Sequence, residues 1–212
     1  WVANKDNDSV SVVNVGAGLT ETEIDVGVKP RSLAFSVDGT QVYVANQRGN
    51  VPHDVTFLTP FTGAEIRGTV SVIDRASRTV LATLPDVGTE PYGVAAAPNG
   101  AWFAVTCFRS ATVVFYDAAT LSKMLEHVYD ADFDFIPIGK TIADLDSNQD
   151  GLPDVGEPRG FTIHADSTKI YVTHHRSPFV SVLDLTLDGN GLPTAVSESK
   201  IGFDDYQFDL FF

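Results

Sequence analysis

Cysteine occurs once in the 212 residues, at Cys107, so no internal disulfide can form and the core must hold by burial. No apolar run reaches eighteen residues, so no membrane-spanning helix is expected. Basic residues are few: 14 Lys and Arg stand against 28 Asp and Glu, a formal net charge of −14 at pH 7. That balance argues against the basic face of a nucleic-acid binder. It suits a secreted, soluble protein or one that attracts cations. The chain opens on Trp1 without a methionine or signal segment and reads as a processed or truncated piece. Catalytic signatures are also missing. There is no G-x-S-x-G, no H-E-x-x-H, no phosphate loop and no C-x-x-C-H.

What is present is repetition. Four segments open alike: "WVAN" at Trp1, "YVAN" at Tyr43, "FAVT" at Phe103 and "YVTH" at Tyr171. Each is followed by a second apolar run: "VSVVN" from Val10, "VSVID" from Val70, "VVFYD" from Val113 and "VSVLD" from Val180. A third element, "KPRSLAFSVDG", "EPYGVAAAPNG" or "EPRGFTIHADS", precedes the last three openings, itself preceded by "DVG" at Asp25, Asp86 and Asp154. These runs are rich in β-branched and aromatic residues and are bounded by Gly, Asn and Asp, so each repeat reads as four short strands a to d. Asp38-Gly39 and Asn99-Gly100 predict the a-to-b turns. One segment conflicts. "AATLSKMLEHV", residues 118–128, spaces Leu121, Met124, Leu125 and Val128 on one helical face, whereas its place in the repeat predicts strand d. The repeat is the reading adopted.

Four antiparallel strands recurring every 40 to 70 residues predict an all-β fold of propeller blades. The quoted pattern resembles the YVTN-type, lactonase-like β-propeller repeats of bacterial and archaeal surface or periplasmic proteins, from Trp1 to about Lys200. The resemblance implies a binding or scaffold module, with a protein or a surface glycan as partner. The alternative it carries is a lactonase-like hydrolase, or the propeller part of a periplasmic metal-dependent redox enzyme. Repeats fall near 1–29, 30–90, 91–157 and 158–212, just under four blades. Either the final "YQFDLFF" supplies the missing first strand, or the chain belongs to a larger propeller of about seven blades. The second is expected, with the remaining blades or a second copy as partner.

Strand order places the b-to-c and d-to-a connections at one end of the blades. Both long insertions, 47–69 and 129–153, are such connections, which marks that end as the working face. "DSNQDGLPDVGE", Asp146 to Glu157, lies there and fits the calcium loop D-x-[DN]-x-[DN]-G-x5-E. Calcium takes six to eight hard oxygen ligands, and a short loop wraps one ion only with a sharp bend at its glycine, here Gly151. The expected ligands are Asp146, Asn148, Asp150, the Leu152 carbonyl, Asp154 and Glu157. "LPDVG" also occurs at Leu84 with no such loop before it, so Asp154 and Glu157 match repeat positions, and a plain polar turn is the alternative. His174 and His175 end a strand on the same face, where neighbouring side chains take opposite sides. A metal shared with His53 or Cys107 is one reading, and a structural role is the other. Arg48, Arg109 and Arg176 occupy equivalent loops; a basic spot for an anionic ligand at the ring centre is one reading, and solvated surface arginines are the other.

Overall fold

The computed structural model describes residues 1–49, 67–129, 158–175 and 179–202. They form fifteen strands and no helix. The first sheet has three strands, β1 (Val2–Asn4), β2 (Ser9–Asn14) and β3 (Leu19–Asp25). The second is β4 (Val28–Phe35), β5 (Gln41–Gly49), β6 (Thr69–Asp74) and β7 (Thr79–Leu84). The third is β8 (Pro91–Ala96), β9 (Trp102–Cys107), β10 (Thr112–Asp117) and β11 (Lys123–Val128). The fourth is β12 (Pro158–Ile163), β13 (Lys169–His174), β14 (Phe179–Leu187) and β15 (Pro193–Gly202). Every pairing is antiparallel between sequence neighbours, so each sheet is one meandering blade.

The core lies between blades. Side chains alternate along a strand, so a central strand of an inner blade must be apolar on both faces. In β5, Val42 and Val44 pack with Val10, Val12 and Ile24 of the first blade. Tyr43 and Ala45 pack with Phe103, Val105 and Val114 of the third. In β9, Trp102 and Ala104 turn instead to Ile170, Val172 and Leu183 of the fourth. Tyr43, Phe103 and Tyr116 form a stack with ring centroids 4.1 and 5.1 Å apart. This is why "YVAN" and "VSVID" are near-continuous apolar runs.

The turns repeat as well. In the first three blades the last residue of strand c, Asn14, Asp74 or Asp117, accepts a backbone N–H three residues on with its side-chain oxygen. Its carbonyl accepts the N–H of the residue four on, Gly18, Arg78 or Leu121, and all three have positive φ. In the third blade this left-handed Leu121 stops any helix, and residues 123–128 pair with β10 as strand d.

A polar tie also recurs inside the blades. Asn4 Nδ2 donates to Ser11 Oγ at 2.6 Å, and Asn46 Nδ2 to Ser71 Oγ at 3.0 Å. In the fourth blade His174 takes the place of that asparagine, with its Nε2 2.9 Å from Ser181 Oγ. Ser11 and Ser181 in turn donate to a strand-d carboxylate, Glu23 at 3.2 Å and Glu198 at 2.6 Å. Each serine thus links strands b, c and d through one hydroxyl, which satisfies groups that would be costly to bury alone.

Candidate functional site

Strand a is the edge of each four-stranded sheet, and the a strands converge: β4 contacts β8, and β8 contacts β12. Each carries a proline in its first three residues, Pro30, Pro91 or Pro158, tolerated because an edge strand has backbone donors to spare. The residue after each proline falls in a β-bulge. Pro30 pairs with Asn46 and Ser32 with Ala45, leaving Arg31 as the extra residue. Pro91 pairs with Cys107 and Gly93 with Thr106, leaving Tyr92. The ladder of β12 skips from Pro158 to Phe161, past Arg159. A bulge re-aims the side chain it carries. Here the same irregularity in three blades brings Arg31, Tyr92 and Arg159 together.

They form one array. The Arg31 guanidinium lies 4.4 Å from the centroid of the Tyr92 ring and donates to the Tyr92 hydroxyl, and that hydrogen bond holds the phenol below its ordinary pKa. The Arg159 guanidinium lies 5.4 Å from Tyr92 and 5.0 Å from Phe108. The Arg159 backbone is pinned by its carbonyl, which accepts from Thr106 Oγ1 at 2.8 Å. Its Nε is buried with no hydrogen-bond partner among the described residues. Phe108 sits 6.2 Å from Tyr92 and 5.8 Å from the His175 ring. Lys5, Lys29, Gln47, Arg48 and Glu90 complete the walls of a recess of about 270 Å³. Lys29 and Glu90, each just before a strand-a proline, have φ of 57° and 54°. Such strain in non-glycine residues costs on the order of 1–3 kcal/mol each and gathers at functional sites.

The residues singled out in the sequence divide as follows. Arg48 is 3 % exposed and lines the recess. Arg109 stands at its rim, Nε 3.4 Å from Glu90 Oε1. His175 reaches it through Phe108. His174 turns the other way, between the third and fourth blades, where its ring meets Tyr129 edge-on at 4.8 Å. Burial lowers its pKa to about 4. His127 Nε2 joins the same network at 3.1 Å from Glu198. His174 and Ser181 are not arranged as base and nucleophile, because the Ser181 proton goes to Glu198 and Ser181 is fully buried. Cys107 is packed in the core between the second and third blades, and burial raises its pKa to about 12. No cluster of three or more His, Cys, Asp or Glu among the described residues is placed to hold a metal.

Asp146, Asn148, Asp150, Leu152, Asp154, Glu157, His53 and Arg176 lie outside the described residues. The residues that flank them, Gly49 and Arg67, Tyr129 and Pro158, are ends of strands b and d or starts of c and a, so all stand at the recess end of the blades. At the opposite end a wider groove of about 590 Å³ runs past Trp1, Asp38, Asp74 and Arg75. Its charges are already engaged: Asp38 by Ser36 and Thr40, Asp74 by Ser77, Arg75 by the Gly39 carbonyl. Arg31, Tyr92 and Arg159 were not singled out from the sequence. Their signal was present in the recurring "KPRS", "EPYG" and "EPRG".

Repeated four-stranded meanders packed face to face define a β-propeller. The class is supported by solved structures that superpose on nearly all of the chain. Hydrazine synthase of Kuenenia stuttgartiensis matches with a TM-score of 0.60 at 20% identity, over 94% of this chain and 45% of that one. The dihydro-heme d1 dehydrogenase NirN, in complex with DHE, matches with a TM-score of 0.61 at 16% identity, over 95% of this chain and 34% of that one. The chain therefore spans less than half the length of either. No family model and no curated protein matches the sequence.

Proposed function

We propose that the chain is an extracellular or periplasmic β-propeller module that binds an anionic ligand at the inner ends of its blades. The observation that supports this is the Arg31–Tyr92–Arg159 array, carried on equivalent bulges of three blades. In a chain of net charge −14, Lys5, Lys29, Arg31 and Arg159 facing one recess make a local positive field that would draw anions in. A calcium ion held by Asp146, Asn148, Asp150, Asp154 and the Leu152 carbonyl, with Glu157 as the last ligand, belongs to the same proposal. It rests on the sequence motif, and the weak affinity usual for extracellular modules agrees with the proposed location.

The test is binding of a small anion by calorimetry at low and moderate ionic strength. The wild type is expected to bind, less tightly as salt rises. Arg31→Gln with Arg159→Gln should weaken binding at least tenfold while the far-ultraviolet circular dichroism stays that of the wild type. Equal affinity in the double variant would refute the assignment.

A second reading has a specific observation in its favour: the two solved structures named above are enzymes by title, one a dehydrogenase. On that reading the chain is the propeller part of a periplasmic metal-dependent redox enzyme, and the recess seats part of its cofactor or substrate. The metal content of the purified protein separates the two. Iron, copper or zinc near one equivalent would favour the enzyme, whereas calcium alone would favour the binding module.

A further inference from the structure

Resting on the anion-binding reading above, we infer that the recess selects a small planar carboxylate, an aromatic one above all, over a tetrahedral oxyanion. The charged groups are the first reason. Arg31 and Arg159 do not stand as isolated point charges. Each guanidinium is laid against a ring, Arg31 at 4.4 Å from Tyr92 and Arg159 at 5.0 Å from Phe108. A guanidinium held over a ring keeps its N–H donors for other partners. Its planar fork of donors binds two oxygens of a carboxylate bidentately, as it can those of a phosphate, so the choice between them falls to the rings. Arg31 uses one terminal nitrogen on the Tyr92 hydroxyl. The Arg159 Nε is buried without a partner among the described residues, which is costly unless an acceptor reaches it.

The rings are the second reason. Tyr92, Phe108 and His175 follow one another at 6.2 and 5.8 Å, tilted by 39° and 54°. They make an aromatic wall beside the two guanidinium groups, where a flat ligand can stack while its carboxylate meets the forks. Phosphate and sulfate sites are commonly built from converging backbone N–H groups, at a helix N-terminus or a nest. The described residues contain no helix, and the Arg31 and Arg159 side chains bring cationic donors to the recess. Size is the third reason. About 270 Å³ falls below the range of drug-sized sites, so the ligand is a compact one. Glu90 tightens the selection. It lies within the recess and is held at its rim by Arg109, so a ligand carrying charge in all directions would meet it, whereas one charged at a single edge can avoid it.

The experiment is calorimetry on the full chain at low salt with five probes: benzoate, benzene-1,2-dicarboxylate, acetate, phosphate and neutral benzamide. The aromatic carboxylates are expected to bind at least tenfold more tightly than acetate and phosphate, and benzamide not to bind. Tyr92→Leu and Phe108→Leu, both retaining an apolar side chain, should each weaken benzoate several-fold more than they weaken phosphate. Their circular dichroism must match the wild type, and either variant suffices if the other misfolds. Phosphate binding as tightly as benzoate would overturn the planar selection and leave the anion reading standing. No binding by any of the charged probes at millimolar concentration would overturn both.

Discussion

His174 replaces an asparagine that two other blades use to tie strand b to strand c, and the exchange has a consequence in acid. Asparagine has no proton to gain, whereas His174 is held neutral by burial, with Glu198 opposing that shift and Lys200 and His127 reinforcing it. Its pKa falls from 6.5 to about 4, so the unfolded chain binds a proton more readily than the folded one. Stability from this residue is complete above about pH 6.5, is lost as pH falls through the window down to 4, and changes no further below it. At pH 5 the loss comes to roughly 2 kcal/mol. Chemical denaturation at pH 7 and pH 5 checks this. His174→Asn, which keeps a donor for Ser181, should remove most of the difference, and an unchanged difference would show that the acid sensitivity arises elsewhere. The adjacent His175, just past the end of β13, instead has its ring 5.8 Å from that of Phe108.

At the level of elements, the turns from strand c to strand d show how a local signal can mislead. Residues 118–128 have helical spacing and composition, yet Asp117 accepts two backbone N–H groups, from Ala119 and Thr120, and Leu121 closes the turn at φ 60°. Glycine serves the equivalent position in the first blade, Gly18 at φ 65°. Leu121→Gly should therefore be tolerated despite the loss of a partly buried side chain. Relief of the left-handed strain offsets most of that loss, leaving a net change within about 1 kcal/mol. Asp117→Ala, which leaves two turn donors unmet, should cost about 1 kcal/mol or more. Thermal unfolding of the two variants measures both, and the order of their melting temperatures is the decisive reading: Asp117→Ala lower than Leu121→Gly. The bulges of the a strands belong to the same scale. Their prolines were visible in the sequence, but the extra residue in the ladder was not, because register depends on the partner strand.

At the scale of the whole molecule, the stretch between Tyr129 and Pro158 carries the motif "DSNQDGLPDVGE". If calcium binds there, millimolar calcium should raise the melting temperature by mass action on the folded state. Asp146→Ala with Asp150→Ala should abolish that shift and leave the β-sheet circular dichroism intact. A wild type indifferent to calcium would reduce the stretch to a polar turn. The sequence by itself determined the blades. Apolar alternation, Asn and Asp at the ends of strand c, and four recurrences of one pattern are local properties, and strands of that kind have few ways to pair with their neighbours. It also indicated which connections share an end of the blades, since strand order alone decides that. Only the tertiary structure decided which side chains meet there. Arg31, Tyr92 and Arg159 are about 60 residues apart from one to the next, and they become neighbours because bulged inner strands of three blades converge. The reason is physical: burial is written into a strand residue by residue, whereas a binding site is a coincidence in space of residues that separate strands contribute.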